Sequence, residues 1–253
     1  MSRITGMNNL VTPDNDDLLP IVDVSDTTQS AEGSTKNIKA EDLVNTFINQ
    51  QDGWLPVDES WTYASATTVT VPSGATNRFQ IGDKIRLVQG ASTKYFYVIG
   101  ATSTVLTLFA GTSFTLADSA ITQIYLSRAS APFGFPSWFN FNSTSSGSGS
   151  MTVTQTGLGY ARFAINNRVV NVLLNGTHTT GGTASDAIIM TLPTQQVAGA
   201  FNWAVGCRIL DGSGVAGYAR SGGSTTVNFY RYDGASYGLG PNRIVACSFA
   251  YEI

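Results

Sequence analysis

The stretch FQIGDKIRLVQGASTKYFYVIGATSTVLTLFAG, at residues 79–111, decides the fold class. It contains three runs rich in β-branched and aromatic residues, separated by the turn sequences QGAS and GATS. Strand alternation predicts that Ile85, Leu87 and Gln89 share one face, with Phe96 and Val98 of the next run on the same side. Because no helix separates the three runs, the pattern predicts an antiparallel sheet or a small barrel.

The same pattern continues on both sides of this stretch. TVTVPSGAT (68–76) precedes it and ITQIYLS (121–127) follows it, so a middle antiparallel β domain is predicted over 54–128. Residues 129–150 then form a connector, in which the aromatic-rich SAPFGFPSWFNF is followed by NSTSSGSGS (142–150). The second of these is typical of a flexible Ser/Gly linker or loop.

Residues 151–253 predict a C-terminal head of about seven strands, arranged as a jelly-roll-like β-sandwich. The sequence INNR (165–168) joins two alternating runs and predicts a hairpin turn. The predicted strands lie in MTVTQ, YARFAINNRVVNVLLNGT, DAIIMTLP, FNWAVGCRIL, VAGYAR, TTVNFYRYDG and NRIVACSFAYEI.

The first 53 residues have a different pattern. DLLPIVDV (17–24) predicts a short strand that Pro20 restricts to an edge or a bend, and KNIKA (36–40) predicts its partner. A helix is predicted from Ala40 or Glu41, with Leu43 and Phe47 on its apolar face. The whole chain is therefore predicted to be all-β with a small α+β N-terminal segment at 1–53.

The charge distribution limits the classes of partner. Charged residues make up 12% of the chain, about half of the usual ~25%. Residues 1–60 contain eleven acids and three bases, whereas residues 61–253 contain eleven bases and six acids that are spread thinly. No dense basic patch indicates nucleic-acid binding, and no apolar run has the length of a membrane span or a signal peptide. We expect a chain made in the cytoplasm and not inserted into a membrane.

The residues needed for catalysis or metal binding are scarce. Beyond residue 60 the acids lie mostly in ordinary turn sequences, and no nucleophile or metal-ligand motif is present. The single histidine, His178, is predicted to be a turn or surface residue rather than a metal ligand. Cys207 and Cys247 are interpreted as two small buried apolar residues, and the sequence leaves open whether they form a disulfide. We therefore expect no enzyme activity and no cofactor or metal.

The segment NFYRYDGASYGLG (228–240) is the best candidate for a binding site. Aromatic faces stack on sugar rings, and arginine and aspartate bond hydroxyl groups. These properties make Tyr230, Arg231, Tyr232, Asp233 and Tyr237 candidate saccharide ligands. The alternative is that strand alternation turns some of these aromatic residues into the core. Trp203 is predicted to lie in the core, and Trp138 at an interdomain or intersubunit joint.

A resemblance to a known class of proteins rests on DLLPIVDVSDTTQSAEGSTKNIKAEDLV. It resembles the small N-terminal module of many tailed-phage fibre, spike and baseplate proteins. The middle stretch 79–111 with PFGFPSWFNF is similar to a β domain of phage fibre and other virion structural proteins, and GLGYARFAINNRVVNVLL with DAIIMTLP looks like their head domain. The positions that carry the N-terminal match are Asp17, Leu19, Pro20, Val22, Thr35, Lys36, Ile38, Ala40, Asp42 and Leu43.

The resemblance implies a virion structural protein, assembled in the host cytoplasm as a homotrimer. It would be a short fibre that attaches to other virion proteins by its N-terminus and presents its head to a host-surface saccharide. Two alternatives stay open: a purely architectural collar, baseplate or capsid decoration role, and a prefix helix that merely caps the middle domain. The residues assigned to virion attachment are Leu18, Leu19, Pro20, Val22, Ile38, Leu43 and Phe47.

Overall fold

The computed structural model describes residues 14, 16–42, 52–197 and 203–253. The chain divides into two compact units, Met1–Trp54 and Leu55–Ile253. Among the described residues, strands dominate and their pairings are antiparallel, which confirms the predicted all-β class. Within the described part of the chain, no helix is both long enough and apolar enough to cross a membrane.

The N-terminal unit contains a two-stranded hairpin. β1 (Leu18–Asp23) pairs with β2 (Ser34–Lys39), which confirms both predicted strands. Each strand of a two-stranded sheet is an edge strand, so Pro20 is tolerated in β1 although it has no N–H to donate. A helix begins at Ala40, as predicted, and its described part ends at Asp42. Leu43 and Phe47 lie outside the described residues.

A seven-stranded sheet occupies the first part of the second unit, in the order β3-β9-β6-β7-β8-β5-β4. The three strands predicted over 79–111 are confirmed as β6, β7 and β8, and the side chains predicted to share a face are buried. The elements are β3 (Leu55–Pro56), β4 (Thr62–Ser65), β5 (Thr68–Thr70), a 3-10 turn (Ala75–Asn77), β6 (Lys84–Gln89), β7 (Ser92–Ala101), β8 (Val105–Phe109) and β9 (Ile121–Ser127).

A nine-stranded sheet follows, in the order β10-β12-β13-β18-β15-β16-β17-β14-β11. The predicted INNR turn is confirmed, because Asn166 pairs with Val169 across a two-residue loop. The strands are β10 (Phe139–Asn140), β11 (Ser145–Gly147), β12 (Met151–Asn166), β13 (Val169–Gly182), β14 (Ala187–Thr191), β15 (Ala204–Asp211), β16 (Ser213–Gly223), β17 (Thr226–Arg231) and β18 (Gly240–Glu252). The jelly-roll arrangement remains a prediction.

One short segment, residues 139–147, supplies both edge strands of this sheet. Its first end pairs with β12 as β10, and its second end pairs with β14 as β11. The prediction of a flexible Ser/Gly linker is therefore wrong for the part that forms β11. The physical reason is that its hydroxyl groups have partners in the sheet. Ser143 Oγ donates to the Thr191 carbonyl at 2.8 Å, and Ser145 Oγ bonds Gln155 Oε1 at 2.9 Å.

The second unit has a core that extends across both sheets. Phe109 packs on Phe163 with ring centroids 4.9 Å apart, and Tyr97 packs on Phe139 at 5.2 Å. Glycine is required where the backbones meet: a Cβ at Gly111 would lie 2.0 Å from the Asn140 carbonyl oxygen. The predicted middle domain, connector and head thus contribute side chains to one core. The nine-stranded sheet, which carries the candidate site, packs against this core.

Candidate ligand-binding surface

The outer face of the nine-stranded sheet carries partly exposed aromatic side chains on β16 and β17. Along β17, Val227 and Phe229 are buried, whereas the alternate residues Asn228 and Tyr230 are partly exposed and point outward. The same alternation on β16 buries Ala219 and turns Tyr218 outward. The inward residues anchor these strands, so the outward aromatic side chains are held on a rigid support.

Three tyrosines lie together on this face. Tyr218 is directly opposite Tyr230 in the strand register, and their rings stack with centroids 5.2 Å apart and planes at 16°. Tyr232, just after the end of β17, lies 5.4 Å from Tyr218 at a tilted angle and is 65% exposed. We call Tyr218, Tyr230, Tyr232 and the neighbouring Arg220 the tyrosine face.

Arg220 and Asn228 hold the Tyr230 ring in place. The Arg220 guanidinium lies 4.5 Å from the centroid of the Tyr230 ring, and its Nη2 donates to the Tyr230 hydroxyl at 3.0 Å. Asn228 Nδ2 donates to the same hydroxyl at 3.1 Å. The bond to Tyr230 raises the pKa of Arg220, which keeps a positive charge at this edge of the face.

A shallow hollow lies beside Tyr218. It has a volume of ≈ 270 Å³ and is lined by Ala204, Val205, Gly206, Tyr218 and Tyr232. A Cβ placed on Gly206 would meet no heavy atom within 4 Å, so the glycine leaves the floor of the hollow open. A flat ring next to an open, mostly apolar hollow suits a ligand that presents one apolar face and a rim of polar groups.

The structure places the five predicted saccharide ligands in three different settings. Tyr230 and Tyr232 lie on the tyrosine face. Tyr237 is fully buried and its hydroxyl donates to the Phe229 carbonyl at 3.3 Å, so its assignment as a ligand contact is wrong. Burial raises the pKa of Tyr237 well above its ordinary value. The loop after β17 turns this side chain inward, which strand alternation could not predict.

Arg231 and Asp233 belong to an ion-pair network rather than to the tyrosine face. Asp211, whose side chain is 1% exposed, forms ion pairs with Arg231 and with Arg243, whose Nε lies 2.9 Å from Asp211 Oδ1. Asp211 further accepts the Gly238 backbone N–H at 3.0 Å. Arg231 Nε bonds Asp233 Oδ1 at 3.0 Å and lowers the pKa of that carboxyl to about 2. The network ties the loop after β17 to the turn between β15 and β16.

Sequence reasoning missed Tyr218 and Arg220. Both lie in VAGYAR, which was predicted as a strand, and its alternation was the available signal. What the sequence could not supply was the pairing of β16 with β17, which places Tyr218 opposite Tyr230. Trp203 packs on Phe249 with ring centroids 4.9 Å apart, in agreement with its predicted core position. Trp138 remains 38% exposed.

His178 is buried in β13, so the prediction of a turn or surface position is wrong. Its Nε2 lies 2.8 Å from Ser145 Oγ, which in turn bonds Gln155 Oε1. The tautomer of the imidazole decides which of His178 and Ser145 donates in this contact. Burial lowers the pKa of His178 to about 4.

The described residues among those assigned to virion attachment lie on the hairpin of the N-terminal unit: Leu18, Leu19, Pro20, Val22 and Ile38. Leu18, Leu19, Ile21 and Val22 of β1 are between 43% and 61% exposed, and Val24 just after the strand is 75% exposed. Lys36 of β2 bonds Asp23 and Asp26 at 2.9 and 2.8 Å, which holds the end of the hairpin together. The hairpin therefore presents apolar side chains at a density that is unusual for a solvated surface.

Within the described ranges, no group of three or more histidine, cysteine, aspartate or glutamate side chains is placed to hold a metal ion. Cys207 and Cys247 are free thiols. Comparisons of the chain with protein-family models, with curated proteins and with solved structures found no match.

Proposed function

We propose that this chain is a phage virion structural protein, a short fibre whose tyrosine face binds a saccharide on the host surface. The observation that carries the proposal is the stack of Tyr218 on Tyr230, with Tyr232 beside it and an open hollow at Gly206. The rigid support of these residues and the open hollow beside them support a role as a carbohydrate platform.

The chemistry of a sugar ring fits this surface. One face of a pyranose is a set of C–H groups that packs on an aromatic ring, and the hydroxyl groups around it form hydrogen bonds. Arg220 and the tyrosine hydroxyls supply polar groups at the rim of the platform. Because the hollow is shallow, a single site would bind weakly, and useful adhesion would come from several copies acting together. A homotrimer, as the sequence resemblance implies, would provide such copies.

The N-terminal unit supports the attachment half of the proposal. An exposed apolar hairpin in a separate compact unit is the kind of element that gains stability when another protein covers it. We propose that other virion proteins cover Leu18, Leu19, Pro20, Val22 and Ile38. The N-terminal unit would then attach the chain to the virion, and the second unit would be exposed to the host surface.

The same hairpin favours the second candidate, a purely architectural protein of the collar, baseplate or capsid. In that case the hairpin alone carries the function, and the tyrosine face is a surface without a ligand. The two candidates differ in one measurable property, which is whether the outer face of β15–β17 binds saccharide.

The test uses the full chain and a panel of immobilised bacterial surface polysaccharides. The matched variants are Gly206→Gln, which fills the hollow, and Gly214→Gln, which adds the same side chain at the hairpin end of β16. Both glycines have open space around a built Cβ and no positive φ, so neither change strains the fold. Gly214 is four residues from Tyr218, or about 13 Å along the strand.

The proposal predicts that the wild type and Gly214→Gln bind the same polysaccharide and that Gly206→Gln does not. Equal binding by all three proteins would place the saccharide elsewhere. No binding to any polysaccharide of the panel, including that of the true host, would favour the architectural role.

A further inference from the structure

The strand register brings the two cysteines of the chain together. β15 pairs with β18 through Arg208–Ala246, Ile209–Val245 and Leu210–Ile244. The pairing ends at Arg208–Ala246, and extending its antiparallel register by one residue sets Cys207 opposite Cys247, consistent with the interaction between their thiols. Residues directly opposite each other in such a ladder have Cα atoms about 4.5 or 5.5 Å apart. Both separations lie within the roughly 4.4–6.8 Å that a disulfide requires.

The two side chains point to the same side of the sheet and interact. Cys207 lies between the inward residues Val205 and Ile209, and Cys247 lies between the buried Val245 and Phe249. A hydrogen bond between the thiols lowers the pKa of Cys247 and raises the pKa of Cys207. The pair thus provides one thiol that ionises more readily and a second thiol beside it. Cys207 is partly exposed, which gives a small reagent access.

We propose that Cys207 and Cys247 are a modification site, a dithiol that a low-molecular-weight disulfide such as oxidised glutathione converts into a cross-strand disulfide. A thiolate of the pair attacks one sulfur of oxidised glutathione, the glutathione S–S bond breaks, and one glutathione leaves and takes up a proton. The second cysteine then ionises and attacks the mixed disulfide, and the second glutathione leaves with the other proton. Two protein thiols are oxidised and one glutathione disulfide is reduced to two thiols.

The bond would close a loop that contains the tyrosine face. Residues 208–246 include all of β16 and β17, and therefore Tyr218, Tyr230 and Tyr232. Closing this loop restricts the unfolded chain and stabilises the folded one without adding a contact to the native surface. The thiols are kept reduced in a cytoplasm and become oxidised outside it. The disulfide would therefore form after the protein leaves the cell in which it was made.

The test uses the reduced full chain, incubated with oxidised glutathione and quenched with acid. The expected product has an intact mass lower by about 2 Da, the mass of two hydrogens. Trypsin should then release a cross-linked pair of peptides, one ending at Arg208 and one beginning at Ile244, and dithiothreitol should separate them. The urea midpoint of the oxidised protein should be higher than that of the reduced protein.

A Cys207→Ser variant provides the control. It cannot form the bond, so any reaction should stop at a glutathione adduct on Cys247, and its urea midpoint should not rise. Two free thiols in the wild type at the end of the incubation would overturn the proposal, as would a stable glutathione adduct or disulfide-linked dimers.

Discussion

Tyr232 is the residue of the tyrosine face whose role is easiest to isolate, because its side chain is 65% exposed and supports little of the core. Replacing it with alanine should lower affinity for the captured polysaccharide by roughly two- to tenfold, the equivalent of about 0.5–1.5 kcal/mol for one aromatic contact. Isothermal titration measures the affinity. Stability should change by less than about 0.5 kcal/mol, as for other exposed positions.

The matched control is Tyr232→Phe, which keeps the ring and removes the hydroxyl. It should retain most of the affinity if stacking dominates. A Phe variant as weak as the Ala variant would show that the hydroxyl, and not the ring, makes the contact.

His178 should make stability depend on pH. Burial holds its folded pKa at about 4, below the ordinary value of 6.5, so the unfolded chain binds the proton more tightly. The stabilising contribution of the neutral imidazole is therefore complete above pH 6.5 and is lost as pH falls towards 4. The loss is about 3 kcal/mol over that window. Urea unfolding at a series of pH values measures it.

His178→Gln should flatten the profile in this window while the acids of the chain still titrate. The comparison uses the slope against pH and not the absolute stability, since a changed core residue also alters packing. Parallel profiles for the two proteins would mean that His178 does not remain neutral in the folded state.

At the scale of residues, the sequence predicted the part of the site that depends on local strand alternation. Tyr230 lies within a β17 run whose alternation was visible, and Tyr232 follows directly after it. Tyr237 and His178 were misplaced because their positions depend on loop direction and on cross-strand neighbours. A single sequence contains no direct signal for either.

The loop between β17 and β18 is fixed to the turn between β15 and β16 by one buried carboxylate, Asp211. Asp211→Asn would leave Arg231 and Arg243 without their shared negative partner in a poorly solvated site. We expect a loss of roughly 3–5 kcal/mol in stability, typical for breaking a buried pair on one side. The Gly238 backbone N–H donates a hydrogen bond to Asp211, so this amide should exchange its hydrogen faster in the variant.

Asp233→Asn is the control at the same network. Asp233 is 51% exposed, so its ion pair is worth about 0–1 kcal/mol. Equal losses for the two variants would mean that Asp211 does not organise the loop. Because Tyr232 begins this loop, Asp211→Asn should also weaken saccharide binding, although Asp211 is not part of the tyrosine face.

At the scale of elements, the strands were largely predictable. The runs over 79–111 and 121–127 and the seven strands after residue 150 have the alternation, β-branched composition and turn sequences that local rules describe. The Ser/Gly segment that forms β11 was not predictable. Its composition favours a loop, and only its partners on β12 and β14 make it a strand.

For the whole molecule, the division after Trp54 predicts that residues 55–253 fold without the N-terminal unit. The truncated chain should keep a cooperative thermal transition close to that of the full chain. A truncated chain without such a transition would show that the prefix is needed as a cap. The full chain, by light scattering, should have a mass of about three times 26.8 kDa if the proposed trimer forms.

The order of strands in the nine-stranded sheet lay beyond the sequence. β14 lies beside β17, and β18 inserts between β13 and β15, so neighbours in the sheet are far apart in the chain. Such long-range pairings depend on the fit of whole faces and leave no local pattern. The tyrosine face itself lies on β15, β16 and β17, which are consecutive hairpin partners, and the long-range pairings of β15 with β18 and of β17 with β14 set these strands inside the sheet.

The central claim is that sugar rings pack on Tyr218 and its neighbours. The most direct measurement is saturation-transfer NMR on the full chain with an oligosaccharide from the polysaccharide that it captures, irradiating the aromatic protons. Our account predicts that saturation reaches the C–H protons on one face of a sugar ring and disappears in Tyr218→Ala. Saturation that is unchanged in Tyr218→Ala, or a complete absence of transfer from the aromatic protons, would contradict it.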